Sequence, residues 1–412
     1  MKRVQPSVLI LPIILAGGEG RRLAPISTSS QPKPFIPLPD GRSLLTRTLE
    51  RASPLNGFLP PLLIGQASHR FSLLNHARAA HVVPSAILLE PQAKNTAMAI
   101  ASACLYALHY QPQAVLAILP ADQVIEPQEA WLEAVHAAAA VSHANGKLCL
   151  LGVTPTRPDP HFGYIQPGLP LPGSEAVLVE QFIEKPEYPA ALLPHCFWNA
   201  GQFFVTPAIL AQLFAAHAPD IWEAAREAMA AADIAWEFTM LGSAAYISAP
   251  PRSFDRSIVE KSSVLAVRLQ AHWHDLGTVE AWEAYTCQPA DSYADRPERI
   301  DRPWGFYELL GDKAPDRLEK RLTLFPGCRI SLQRHTCRDE EWRVLSGQAE
   351  AELDGQFYRL EPGSHIHIMA HMWHRLHNTG STPLIIHEIQ SGNPDESDIE
   401  RREDDYGRLN DS

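Results

Sequence analysis

The chain has 412 residues, a formal net charge of −12, 45% hydrophobic residues and 20% charged ones. That length exceeds one ordinary domain and suffices for two or three cores. The acidic balance argues against a nucleic-acid footprint and against an anionic membrane surface as partners, so any anionic ligand must be held by a local cluster of cations. Six dispersed cysteines with no CxxC pair disfavour a disulfide framework and point to a reducing cytoplasm. The 36 prolines are scattered and mark loops, not a disordered tract.

The first predicted element is a buried strand over Val8 to Leu15 (VLILPIIL), despite Pro12. The apolar run ending at Ala16 is too short to span a bilayer and lacks a signal-peptide cleavage pattern. It feeds directly into LAGGEGRRLAP, a turn whose Gly17, Gly18, Glu19 and Gly20 can present backbone N–H groups to phosphates. Arg22 and Lys33 follow as cations. The spacing matches neither a Walker A loop nor the G-x-G-x-x-G dinucleotide pattern.

Further on, Ala114–Leu119 reads as a strand, Glu129–Ala144 as a helix and Lys147–Val153 as the next strand. Such alternation predicts a parallel or mixed α/β sheet with ligands at the carboxyl ends of its strands. Asp122 follows a strand in LPADQ, and Asp275 sits in HWHDLGT; carboxylates so placed can hold Mg²⁺. Lys185 in QFIEKP and Asn199 in FWNAGQFF are polar residues set against apolar runs. Singly, each reads as a helix cap, a loop cation or a turn residue.

Around 287–300 the pattern collapses into a segment rich in Pro and Asp, which reads as a linker. From Trp304 the chain turns to short β runs at Leu318–Phe325, Trp342–Leu345, Ala349–Leu353, Ser364–Met369 and Leu384–Ile389. Turns such as FPGC, LDGQ and HNTG separate them, so a small antiparallel barrel or jelly roll is expected. The domain reading is therefore 1–286, a linker at 287–300, and 301–412.

In order, LAGGEGRRLAP, QPKPFIPL, LLEPQAKNTAMAI, LPADQVI, FGYIQPG, FIEKP, WNAGQFFV and HWHDLGT resemble the mannose-1-phosphate guanylyltransferases, within the sugar-phosphate nucleotidylyltransferases. The resemblance implies a Rossmann-like mixed sheet, Mg²⁺ dependence, and conversion of GTP and mannose 1-phosphate to GDP-mannose and pyrophosphate. It puts the signature Arg on Arg22, the pyrophosphorylase Lys on Lys33 and the metal carboxylates on Asp122 and Asp275. Gly17, Gly18, Glu19, Gly20, Glu90, Asn95 and Thr96 match the nucleotide pocket. Gly163, Tyr164, Glu184, Lys185 and Asn199 match the sugar-phosphate segment. Lys94 stands where the family usually has Arg, and Ala24 where it often has an aromatic residue.

The second half carries SLQRHTCRDEEW and MAHMWHRLHN. At cupin spacing these offer His335, Cys337, Glu340 and His374 as N, S, O and N ligands for Zn²⁺ or another divalent metal. With RPWGFYELL, IQSG and EDDYGR, this half resembles the type II phosphomannose isomerase domain, a cupin that interconverts fructose 6-phosphate and mannose 6-phosphate. Arg408 matches the family's closing Arg, a phosphate or enediolate contact. Family members carry a longer β-rich segment between the halves; its shortness here puts a family-type homodimer contact in doubt. Three alternatives stay open: a structural or regulatory cupin, another sugar phosphate or nucleotide, and a non-enzymatic sugar-nucleotide sensor.

Overall fold

The computed structural model describes residues 8–18, 20–189, 195–294 and 296–409. Glu19, assigned above to the nucleotide pocket, lies outside them. The chain forms two compact units: one runs to Ala290, and the other begins at Asp291 and also takes in Ser29–Gln31. Among the described residues no helix is long and apolar enough to cross a membrane.

The first unit is built on an 11-stranded mixed sheet. The strand Ile10–Leu15 lies in parallel between Leu62–Gln66 and Val115–Pro120. Its Leu11 and Ile13 enter one apolar cluster while Ile10 and Ile14 enter two others on the opposite face. A central strand covered by helices on both faces reads as a continuous apolar run, as this one does. Pro12 is tolerated because ladder pairing with Leu62–Gln66 starts only at Ile13. The neighbouring even-numbered residues direct their backbone groups to that side: Ile10 O accepts from Leu59 N, and Ala16 N donates to Ile64 O. The missing Pro12 N–H therefore costs no sheet bond.

Leu15 and Pro120 are in register, and Ala121 N donates to Leu15 O at 3.0 Å. That pairing sets the glycine-rich turn after Leu15 beside the loop that carries Asp122. The helix Gln128–Asn145 covers one face through Trp131, Ala134, Val135 and Ala138, and Gly146 in left-handed conformation ends it. Phe197–Val205 runs antiparallel to both Val115–Pro120 and Cys149–Val153, which makes the sheet mixed.

The second unit stacks a six-stranded sheet on a five-stranded one, both antiparallel. This is the jelly-roll expectation. The segment read as a linker is not structureless. Asp291–Ala294 is helical, and Arg299–Arg302 is the edge strand beside Gly305–Ala314, with Ile300 packed on the barrel core. Its weak hydrophobicity reflects an edge position, not a lack of structure. The strand read as Trp342–Leu345 begins earlier, at Arg338. Its charged first residues conceal a period-two pattern that buries Arg338, Glu340, Trp342 and Val344.

Candidate functional site

Two adjoining clefts open on the first unit. The smaller, about 510 Å³, is lined by Gly17, Gly18, Gly20, Arg22, Lys33, Asp122 and Asp275 among others. The turn depends on glycine: Gly18 has φ of 109° and Gly20 of 61°. A side chain at Gly20 would also meet the Lys33 Cβ at 3.1 Å. Ser27 Oγ donates to Gly20 O at 2.7 Å and fixes the turn's end.

Lys33 is buried beneath this turn. Its Nζ donates to Asp122 Oδ2 at 2.9 Å, lies 3.9 Å from Asp275 Oδ1 and also bonds the Asp275 carbonyl. Residues as far as 242 positions apart in the chain are thus brought to one point. Desolvation pushes the Asp275 carboxyl above the ordinary range; the Lys33 ammonium opposes this and the Asp122 carboxylate adds to it. Two carboxylates crowded at a cleft floor are a hard-oxygen pair suited to Mg²⁺.

The larger cleft, about 940 Å³, shares Arg22, Asp275 and Gly277 with the first. Arg157, Lys185 and Arg268 add cations to its wall, and Trp198 and Trp273 add aromatic surface. A groove of this character suits a phosphorylated ligand in an otherwise acidic protein.

The other sequence-assigned residues divide into those at the cleft and those behind it. Lys185 lines the groove in a left-handed conformation (φ 51°), 3.3 Å from Glu184. Gly163 lies against the Glu184 carboxylate, where a Cβ would approach to 2.8 Å. Tyr164 is fully buried, and its hydroxyl accepts from Asp159 N and donates to Asp159 O. It therefore positions Asp159 in the cleft wall and presents no side chain to a ligand. Asn199 is likewise buried; it donates to Asp255 at 2.9 Å and accepts from Gly201 N. Asp255, which the motif reading passed over, is pushed up to about 7 by burial and by Glu184.

Of Glu90, Asn95 and Thr96, Glu90 is the one placed against the glycine turn. The Glu90 carboxyl lies where a Gly17 side chain would meet it at 3.2 Å, and it accepts from the Tyr246 hydroxyl. Burial pushes it up to about 7, with that hydrogen bond opposing. Asn95, at φ 64°, accepts from Thr96 N, while the Thr96 hydroxyl accepts from Phe254 N. Ala93 is the nearby residue that lines the cleft. The Lys94 ammonium donates to the Ile247 carbonyl.

In the barrel, His335, Glu340 and His374 converge, with ligand atoms within 4.8 Å of one another and all three residues buried. His335 Nδ1 donates to the Asp398 carbonyl and His374 Nδ1 to the Met372 carbonyl. Both Nε2 lone pairs therefore face Glu340, at 3.2 and 3.6 Å. Glu340 Oε2 has no hydrogen-bond partner despite its burial. Burial raises the Glu340 carboxyl, but the imidazoles of His335 and His374 and the Arg338 guanidinium around it outweigh this and hold it below the ordinary range. Two imidazole nitrogens and an orphaned buried carboxylate oxygen fit a divalent metal.

Cys337 does not join them, which corrects the four-ligand set. The chain bends at 335–337 between the strands Leu332–Arg334 and Arg338–Ser346. The alternation that would put 335 and 337 on one face is broken there. Cys337 is exposed, and its backbone N–H donates to Asp398. Arg338 takes the inward place, 3.2 Å from Glu340 Oε1 and 3.1 Å from His335 Nε2. Gln333, missed by the motif reading, holds its amide 3.4 Å from His335 Nε2 and 3.5 Å from His374 Nε2. Its spacing two residues before His335 on a strand was the available signal.

Arg408 is held by Asp404 through both Nε and Nη2, so in this conformation it closes its own turn. Of the other barrel histidines, His365, His367 and His371 are exposed, and His387 pairs with Glu319 at 2.9 Å.

Comparison with known proteins agrees with both halves. The nucleotidyl transferase family matches residues 11–291, and the mannose-6-phosphate isomerase C-terminal family matches 290–404. Xanthan biosynthesis protein XanB of Xanthomonas campestris is 32% identical over 97% of this chain and 99% of its own length. The mannose-1-phosphate guanylyltransferase of Escherichia coli K12 is 30% identical over 97% and 99%. The chain belongs to this family. The alignment with XanB runs over 470 positions against a chain of 412 residues, so the relative carries residues that this chain lacks.

Two solved structures extend the agreement to folds. A mannose-1-phosphate geranyltransferase from Thermus thermophilus is 34% identical, with a TM-score of 0.58 over 68% of this chain and 79% of that one. A mannose-6-phosphate isomerase from Helicobacter pylori is 25% identical, with a TM-score of 0.55 over 65% and 99%. The family member described here is a nucleotidyltransferase with a Rossmann-like mixed-sheet domain and a C-terminal cupin.

Proposed function

We propose that this enzyme transfers GMP from GTP to mannose 1-phosphate, releasing pyrophosphate and forming GDP-mannose. The observation that carries the reading is Lys33 Nζ lodged beneath the glycine turn between Asp122 and Asp275. A phosphate oxygen of the sugar attacks the α-phosphorus of GTP in line as the bond to pyrophosphate breaks. No enzyme nucleophile is required, so positioning and charge stabilisation supply the catalysis.

Backbone N–H groups of Gly17, Gly18 and Gly20 cradle the triphosphate, while Arg22 and Lys33 neutralise charge developing on the leaving group. Lys185, in the groove that continues from this turn, engages the sugar phosphate. Asn199 and Tyr164 act indirectly, by holding Asp255 and Asp159. Asp122 and Asp275 would hold Mg²⁺, which supplies charge neutralisation at phosphate oxygens when bound. The relatives named for xanthan and alginate biosynthesis support a role for the product in activated-mannose supply for polysaccharides.

The barrel's proposed second activity is interconversion of fructose 6-phosphate and mannose 6-phosphate. The buried triad with its orphaned carboxylate oxygen supports it. His335, Glu340 and His374 would hold a divalent metal able to polarise the sugar carbonyl. Pyrophosphate release from GTP, ATP, UTP and dTTP, each with mannose 1-phosphate, tests the first assignment. GTP preference is expected; equal use of all four would remove the guanylyl assignment.

A further inference from the structure

The barrel interior is polar at one end. Lys320, Arg338, Glu340, Glu388 and Gln390 project inward from three neighbouring strands, and all are buried. The same strands turn Leu322, Val344 and Ile386 inward at the other end, where they join the apolar core. Burying this many charges in a small β unit is costly unless they are paired, and apolar residues would stabilise the fold at least as well.

The group is continuous with the triad. Gln390 Nε2 donates to Glu340 Oε1 at 3.1 Å and to Glu388 Oε1 at 3.0 Å, and that same Glu388 oxygen lies 3.7 Å from Lys320 Nζ. Lys320 also sits 4.8 Å from the Tyr307 ring centroid, and Arg302 donates to the Tyr307 hydroxyl at 3.2 Å.

One member of this network comes from outside the strands. The Lys320 ammonium donates to Glu396, whose side chain is 49% exposed while that of Lys320 is 5% exposed. Burial disfavours the ionised form of Glu396, but Lys320 above all, with Arg338 and Arg302, outweighs it and holds the carboxyl below its ordinary range. The flanks of its loop are fastened. Asn393 N donates to the Cys337 carbonyl and Arg338 to the Asp395 carbonyl, while the Asp398 carboxylate accepts from Thr336 and Cys337. The backbone flanking Glu396 is therefore held, while its half-exposed side chain is anchored through its bond to Lys320.

We propose that Lys320, with Arg302 and Arg338, forms a phosphate-monoester subsite in the barrel, and that the Glu396 carboxylate occupies it until a phosphorylated ligand displaces it. A phosphate dianion on Lys320 replaces a single carboxylate charge with a stronger acceptor for the same cations. Its sugar then extends past Glu388 and Gln390 towards His335, Glu340 and His374. The subsite deepens the isomerase reading by naming where the substrate phosphate binds, and its test is independent of turnover.

Calorimetric titration of the full-length chain with fructose 6-phosphate, inorganic phosphate and unphosphorylated fructose decides the matter. Both phosphate-bearing probes also reach the first unit, so the difference between wild type and a barrel variant isolates the barrel's share. Glu396→Gln removes the competing charge from a half-exposed position and should tighten both phosphate-bearing probes roughly fivefold, the scale of one partly exposed ion pair. Fructose binding should not change. Lys320→Met should abolish the barrel's share, with circular dichroism checking that the variant is folded. Unchanged phosphate binding in Glu396→Gln, or in a folded Lys320→Met, would overturn the subsite. If binding responds as expected but no isomerisation occurs in metal-loaded protein, the subsite stands and the isomerase reading falls.

Discussion

The two sites are assembled in opposite ways. In the first unit, functional side chains sit on loops at strand ends and face open clefts of about 510 and 940 Å³. In the barrel Glu340 and His374 project from strands and His335 from the bend that follows Leu332–Arg334, and all three are almost fully buried. A strand-end site tolerates irregular spacing because each loop arrives separately. A mid-strand site depends on residue phase, and one bend at 335–337 moves Cys337 out and Arg338 in.

The sharpest break of this contrast comes from the carboxylates. Asp122→Ala should reduce guanylyl transfer by roughly 10²-fold or more, since it removes preorganised charge at the reacting phosphates. Elemental analysis should show no change in barrel metal. Loss of both properties together would mean that the sites are not separate.

His374→Ala should have the converse effect. It removes one of three convergent ligands and should strip the barrel of its metal, read by elemental analysis, with pyrophosphate release retained. A metal content equal to wild type would place the ion elsewhere.

The contrast also shows what was readable beforehand. Lys33, Asp122 and Asp275 were recoverable from linear motifs because each lies beside a hydrophobic run, and the parallel pairing of Ile10–Leu15 with Val115–Pro120 gathers strand ends at one edge. Tyr164 and Asn199 lie in the quoted motifs, but their burial behind Asp159 and Asp255 depends on tertiary packing that no motif encodes. In the barrel, the cupin spacing exposed Glu340, but RDEE hid the inward-facing Arg338 because alternation among charged residues looks like a solvated loop. The segment 287–300 contains the division between the two units and runs into the edge strand Arg299–Arg302, which buries too little to stand out in the sequence.

A subtler test uses pH. Asp255 has a folded pKa of about 7 against an ordinary value of 3.8, so between these limits the native state binds more protons than the unfolded chain. Its contribution to stability is therefore greatest at the acidic end and is lost as pH rises towards 7. Asp255→Asn should flatten the fall in unfolding free energy across that window, measured by urea titration at several pH values. An unchanged slope would show that Asp255 ionises normally.

The smallest expected effect is at Cys337. Because its side chain is exposed and outside the triad, Cys337→Ala should leave barrel metal stoichiometry at the wild-type level. Loss of metal would restore the four-ligand set and contradict the bend at 335–337.

The central claim is that Lys33, held between Asp122 and Asp275 beneath the glycine turn, serves guanylyl transfer. Its most direct test is pyrophosphate release from GTP and mannose 1-phosphate by Lys33→Ala beside wild type, with circular dichroism confirming the fold. Product formation should be lost in the folded variant; a wild-type rate would contradict the account.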